Sequence, residues 1–172
     1  MSQTDWSIER VGVESANILA NLFELYLHDM AEWFRFDTQA DGRYGYDLTR
    51  HFERGDRIYL ARVGTAPAGF ALVGPAPEWL ADPTANDVEE FFVVRRHRHS
   101  GLADNLARTI WDAQPGRWRV RVFEGNVPAV PFWRRVVAAY SGDQYTEERH
   151  VNNSRNWVVF GFVNTRTPTG NT

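Results

Sequence analysis

Cysteine is absent from the 172 residues, and so is lysine. Without cysteine, neither a disulfide framework nor a thiolate metal site is available. The missing lysine leaves all 19 basic residues as arginine, which we read as genomic composition bias. No apolar run approaches the about 18 residues of a membrane span, and the start "MSQTDWSIER" lacks the apolar stretch of a signal peptide. A soluble, cytoplasmic protein with no membrane partner is expected. The five histidines lack metal-ligand spacing, such as two histidines four apart on one helix, so no metal is expected. Repeats, low-complexity segments and linkers are also missing. The length therefore points to one domain over residues 1–172, with 164–172 as a frayed tail.

What is present is a core-forming composition, 43% hydrophobic and 14% aromatic, which argues against disorder. The net charge of -3 averages two unlike parts: residues 1–90 hold 16 acids against seven arginines, and residues 91–172 hold 12 arginines against six acids. The first part is expected to attract a cation and the second an anion.

Periodicity predicts strands at "WSIERV", "RIYLARV", "PAGFALVGP", "VEEFFVVR", "RWRVRVFE", "YTEERHV" and "WVVFGFV". Helices are predicted at "SANILANLFELYLHDMAEW", with Ser15 as N-cap, at "SGLADNLARTIWDA", and at "VPAVPFWRRVVAAY", beginning near Pro128. A short helix in "DLTRHFERG" stops at Gly55. This order implies an α/β chain: a mixed sheet of six to seven strands with helices on its faces.

One stretch stands out. "RRHRHS", residues 95–100, packs three arginines and two histidines between a strand and a helix that opens at Gly101. A helix start carries unpaired N–H groups and the positive end of its dipole, and glycine lets a ligand approach the backbone. Such a turn cradles a compact anion. A nucleic-acid groove would spread its basic residues over a face with stacking aromatics, so no nucleic-acid partner is expected.

Arg98-His99-Ser100-Gly101-Leu102-Ala103 matches the pattern Gln/Arg-x-x-Gly-x-Gly/Ala, by which the GNAT superfamily of acetyl-CoA-dependent N-acetyltransferases holds the coenzyme's pyrophosphate. The strand "VEEFFVV" precedes it, and "RVRVFEGN" ends on Asn126, followed by an aromatic seven positions on. The chain resembles that family over residues 6–163 in element order and most specifically over 88–136, and is similar to bacterial members of undefined substrate. The resemblance implies a GNAT-like single domain with a mostly antiparallel sheet.

It also implies a site. Backbone groups of Phe91, Phe92 and Val93 would pair with the pantetheine arm, and the Val93 N–H would meet the thioester carbonyl. The turn of Arg98, His99, Ser100, Gly101, Leu102, Ala103 and Asp104 would hold the pyrophosphate. Asn126 and Trp133 would complete the coenzyme site. Trp133 departs from the family, where many members carry a tyrosine that protonates the leaving thiolate; either Tyr140 or water takes that role, or the thiolate leaves unassisted. A base must deprotonate the amine. Glu89 and Glu90 both lie at the strand's start, pointing to opposite faces, with Glu89 favoured.

The resemblance implies an acceptor site built by the first helices and their loop, a stretch here rich in acids and aromatics. Tyr26, Asp29, Glu32 and Trp33 are the candidates, suiting a primary amine by charge and cation–π contact. The expected activity is acetyl transfer from acetyl-CoA to such an amine in a ternary complex, by a monomer or homodimer. The rival is a non-catalytic acyl-CoA-binding or regulatory module on the same fold.

Overall fold

The computed structural model describes residues 5–166. Its elements are β1 (Trp6–Val11), α1 (Ala16–Phe34), α2 (Thr49–Arg54), β2 (Arg57–Val63), β3 (Ala66–Pro75), β4 (Asn86–Val93), α3 (Leu102–Asp112), β5 (Gly116–Phe123), α4 (Ala129–Ser141), β6 (Tyr145–Asn152) and β7 (Arg155–Asn164). The seven strands form one sheet in the order β1-β2-β3-β4-β5-β7-β6. β4 and β5 run parallel, whereas β1–β2, β5–β7 and β6–β7 are antiparallel. The sheet is thus mixed with flanking helices, as the element order predicts, and mostly antiparallel, as the family resemblance implies.

The chain divides into two compact units. The first holds the residues up to Leu72 together with Glu90–Leu106. Its core gathers Leu19, Leu22 and Phe23 of α1 with Ile58, Leu60, Phe70, Leu72 and Phe92 of the strands. Phe23 stacks on Phe70 at 4.3 Å between centroids and on Tyr46 at 4.1 Å. Ring pairs of this kind contribute about 0.5–1.5 kcal/mol each beyond their burial.

The second unit holds Val73–Glu89 and the chain from Ala107 onward. Here β5 alternates: Trp118, Val120 and Val122 are buried, while Arg117 and Arg119 bind Asp82 and Arg121 binds Asp87. The period of two puts these sets on opposite faces of the strand. α4 carries Trp133, Val136, Val137 and Tyr140 on its buried face.

Local differences from the sequence expectations have physical causes. Ser15 makes no side-chain capping bond, because a 3-10 turn at Val13–Ser15 runs directly into α1. α4 begins where expected, with Pro128 as its N-cap, and the Asn126 carbonyl accepts from the Ala129 N–H at 3.0 Å. β4 begins two residues before Val88. Asn164, expected to open a frayed tail, is the last residue of β7; it is buried, and its side-chain amide donates to the Trp111 carbonyl at 2.7 Å. Residues 167–172 of that tail lie outside the described residues.

Candidate functional site

The turn that follows β4 is shaped by backbone more than by side chains. Val94 donates its N–H to the Ala68 carbonyl of β3 at 2.9 Å, closing the strand. A 3-10 turn at Arg95–His97 follows. His99 and Gly101 then adopt positive φ, at 66° and 90°. For His99, a residue with a Cβ, that region costs roughly 1–2 kcal/mol, the strain expected where geometry serves a ligand. At Gly101 an added Cβ would meet no protein atom closer than 3.5 Å, so within the chain the demand for glycine is conformational rather than steric. Ser100 ties the loop down, donating to the His97 carbonyl at 2.7 Å and accepting from the Leu102 N–H at 3.4 Å. Leu102 is fully buried, so only its backbone faces the turn. α3 starts here, with its first-turn amides and dipole directed at the loop.

The arginines of the turn have a protein partner. Arg95 and Arg98 both grip Asp29 of α1, at 2.5 Å from Nη2 of each, and Arg98 Nε donates to the Val93 carbonyl at 2.9 Å. Burial alone would raise the Asp29 pKa, but the bonds from Arg98 and Arg95 outweigh it and hold the carboxyl below the usual carboxylate range. Asp29, a candidate for the acceptor's charge, is thus paired with the basic turn. The Val93 carbonyl is turned to Arg98, and in an extended residue the N–H shares that side, away from β3. The Phe92 carbonyl points the other way, against Gly69, where an added Cβ would sit 2.5 Å from it.

Glu90 is the polar centre of the first unit. Tyr26 donates its hydroxyl to Glu90 Oε2 at 2.5 Å, and the Tyr46 hydroxyl lies 3.3 Å from Oε1. Phe70 and Phe92 flank the Tyr26 ring at 5.8 and 5.9 Å. Tyr46 is pushed to a raised pKa by its burial first and by the Glu90 charge second, against the Arg50 guanidinium. Tyr46 touches His51, which in turn touches Asp56. Sequence alone does not single out His51 and Asp56, although the only local signal is present: Gly55 at φ 77° ends α2. The Asp56 N–H then bonds the His51 carbonyl and the Gly55 N–H the Phe52 carbonyl, the paired closure of a Schellman turn. That closure folds Asp56 back beneath His51.

The remaining candidates are more scattered. Glu32 is exposed and Trp33 half-buried at the end of α1. Glu24 accepts the N–H groups of Tyr44 and Gly45, at 2.7 and 2.9 Å, tying the loop after α1 to the helix. Glu89, favoured as the base from sequence, is the last residue of its segment in the second unit and is half-buried. Phe91 is half-buried, and Ala103 and Asp104 lie in the first turn of α3. In the second unit Asn126 is half-buried between β5 and α4. Trp133 is 6% exposed, packed on Trp111 and Phe132. Tyr140 does not fit the role of an alternative acid: it donates to Asp112 at 2.7 Å, and burial, then that bond, raises its pKa.

Residues 22–137 match the model of the acetyltransferase (GNAT) family. The chain belongs to that family, and its class is that of the acyltransferases. Solved structures agree on the fold. A GNAT-family acetyltransferase from Streptococcus agalactiae superposes with a TM-score of 0.70 at 12% identity, over 94% of this chain and 96% of its own. The spermidine N-acetyltransferase of Vibrio cholerae, solved with CoA and spermine, gives 0.66 at 11% identity over 95% and 98%. A Salmonella typhimurium protein solved with its cofactor acetyl-CoA gives 0.64 at 12% identity over 95% and 97%. No curated protein matched the chain. Among the described residues no helix is long and apolar enough to cross a membrane.

Proposed function

We propose that the chain transfers an acetyl group from acetyl-CoA directly to a primary amine, with Glu90 as the base. The observation that carries this reading is the Glu90 carboxylate, held by two tyrosine hydroxyls in an aromatic pocket three residues before Val93. Acetyl-CoA supplies the activated acetyl group. The turn fits its pyrophosphate: Gly101 has the positive φ that opens the backbone, and the start of α3 faces it with helix-end amides. The Val93 N–H, turned away from β3, serves the carbonyl oxygen on which charge grows. Glu90 takes the proton of the attacking amine, and the Tyr26 hydroxyl holds the carboxylate in place. Asn126 and Trp133 keep a coenzyme role by family resemblance alone. For the acceptor, Tyr26 and Trp33 supply the apolar wall, and Asp29 is assigned to the turn instead.

A specific observation favours the second reading, a non-catalytic acyl-CoA-binding module. Trp133 stands where many relatives carry a tyrosine, and the Tyr140 hydroxyl is occupied by Asp112. Release of free CoA, followed with a thiol reagent against spermine, other small primary amines and peptides, separates the two. The enzyme reading expects turnover with an amine and a fall of about 10²-fold in Glu90→Gln. Calorimetric binding of acetyl-CoA with no amine-dependent release would establish the binding module instead.

A further inference from the structure

We infer that Tyr46, His51 and Asp56 form a proton relay that empties Glu90 during turnover. The inference rests on the reading of Glu90 as the base. Five contacts define it. Arg50 Nε donates to His51 Nε2 at 3.1 Å. A guanidinium carries no acceptor, so this shorter bond assigns the lone pair to Nε2 and the proton to Nδ1, where Arg54 Nη2 lies farther off at 3.5 Å. That Nδ1 lies 2.8 Å from Asp56 Oδ2 and donates to it. The Tyr46 oxygen lies 2.9 Å from His51 Nε2 and 3.3 Å from Glu90 Oε1. Arg50 Nη2 also donates to the Tyr46 oxygen at 3.2 Å, so the single hydroxyl proton is divided between two acceptors, Glu90 and His51.

The path follows from that division. Glu90 receives a proton from the amine and becomes a neutral acid. Its proton passes to the Tyr46 oxygen while the Tyr46 proton passes to His51 Nε2, so the tyrosine stays neutral and one O–H bond replaces another. His51 becomes an imidazolium, its Nδ1–H held by the Asp56 carboxylate, and Arg50 releases Nε2. No other reactant is consumed. His51 is fully buried and the Asp56 side chain is 2% exposed, whereas Arg50 lies at the surface. The relay therefore carries the proton from the half-buried Glu90 into a buried imidazole–carboxylate pair, and the same steps in reverse return it to Glu90 once the acetylated amine has left. The raised pKa of Tyr46 fits a hydroxyl that passes protons on without ionising. The alignment is rigid as well, because the Tyr46 ring stacks on Phe23 on one side and on His51 at 5.7 Å on another. Arg54 Nε donates to Asp56 Oδ1 at 2.7 Å, which fixes the far end in place.

The test uses the full chain and any amine of the panel above that supports turnover. Under single-turnover conditions, Tyr46→Phe is expected to slow acetyl transfer by about tenfold or more, leave acetyl-CoA affinity unchanged, and turn a bowl-shaped proton inventory into a straight line. Asp56→Asn and His51→Gln are expected to do the same, and Tyr46→Phe with His51→Gln to be no slower than either alone. Nitrogen NMR of the wild type, which needs no acceptor, is expected to find His51 neutral with its proton on Nδ1. Protonation at Nε2 in the resting protein would overturn the relay. So would a folded Tyr46→Phe that keeps the wild-type rate and a bowl-shaped inventory. If Glu90→Gln is slow while the three relay variants are not, the relay alone falls; if Glu90→Gln also keeps full rate, the base reading falls with it.

Discussion

Replacing Asp29 by asparagine separates two accounts of the acidic first helix. If Asp29 receives the acceptor's charge, the variant raises KM for the amine and leaves the coenzyme alone. The structure gives Asp29 a different occupation, because Arg95 and Arg98 both close on it at 2.5 Å. The Asp29 side chain is 14% exposed, but those of Arg95 and Arg98 are 72% and 40% exposed, so solvent screens the clamp. Pairs of that exposure are worth about 0.2–1 kcal/mol each, so the two together contribute about 1 kcal/mol. In a domain of this size that is a fall in Tm of roughly 2–4 °C. The same substitution removes a carboxylate that competes with phosphate for two guanidiniums, so affinity for CoA is expected to rise several-fold at low salt and by less at high salt.

The pH dependence has a definite sign. The folded pKa of Asp29 is depressed, so its stabilisation is present above the unfolded carboxyl pKa and is lost as the pH falls through the folded one. The difference in Tm between wild type and Asp29→Asn should therefore be full at neutral pH and vanish in acid. Scanning calorimetry and titration calorimetry with CoA at two salt concentrations measure both effects. A variant with unchanged Tm, unchanged CoA affinity and a raised amine KM would refute the reasoning and return Asp29 to the acceptor site.

Two other substitutions bear on the coenzyme and on the acid. Gly101→Glu places a carboxylate and a Cβ at φ 90°; it is expected to abolish acetyl-CoA binding at a stability cost of about 1–2 kcal/mol, and calorimetry of a folded variant that still binds would count against the turn as the phosphate site. Tyr140→Phe removes the hydroxyl bonded to Asp112; about 1 kcal/mol of stability should go with it, while acetyl transfer should proceed at the wild-type rate, and a large fall in kcat would make Tyr140 the acid after all.

Some of this was legible in the sequence and some was not, for reasons that differ by residue. The β5 strand announces itself because Trp118, Val120 and Val122 alternate with three arginines, and a period of two survives any tertiary context. The turn is legible because Gly101 sits where a strand becomes a helix. The choice between Glu89 and Glu90 is not, because adjacent strand residues carry the same local signal and only tyrosines 44 and 64 residues away distinguish Glu90. The dyad of His51 and Asp56 is local, built by a helix stop, yet its chemistry depends on Tyr46 and Arg50 arriving from the loop before it.

The division of charge between the two parts of the sequence shows most clearly what a count omits. Sixteen acids in the first 90 residues and 12 arginines in the remainder suggest two opposed fields, one for an amine and one for a phosphate. In the folded chain several of those charges meet each other: Asp29 with Arg95 and Arg98, Asp82 with Arg117 and Arg119, Asp87 with Arg121. Each cluster joins an acid of the first part to one or two arginines of the second, and so weakens both far fields. Complementarity between distant stretches of one chain thus looks, in the sequence, like attraction for outside ligands. With Glu90 as the proposed base, the groups within hydrogen-bond reach of it, Tyr26 and Tyr46, are the ones placed to discriminate among acceptors.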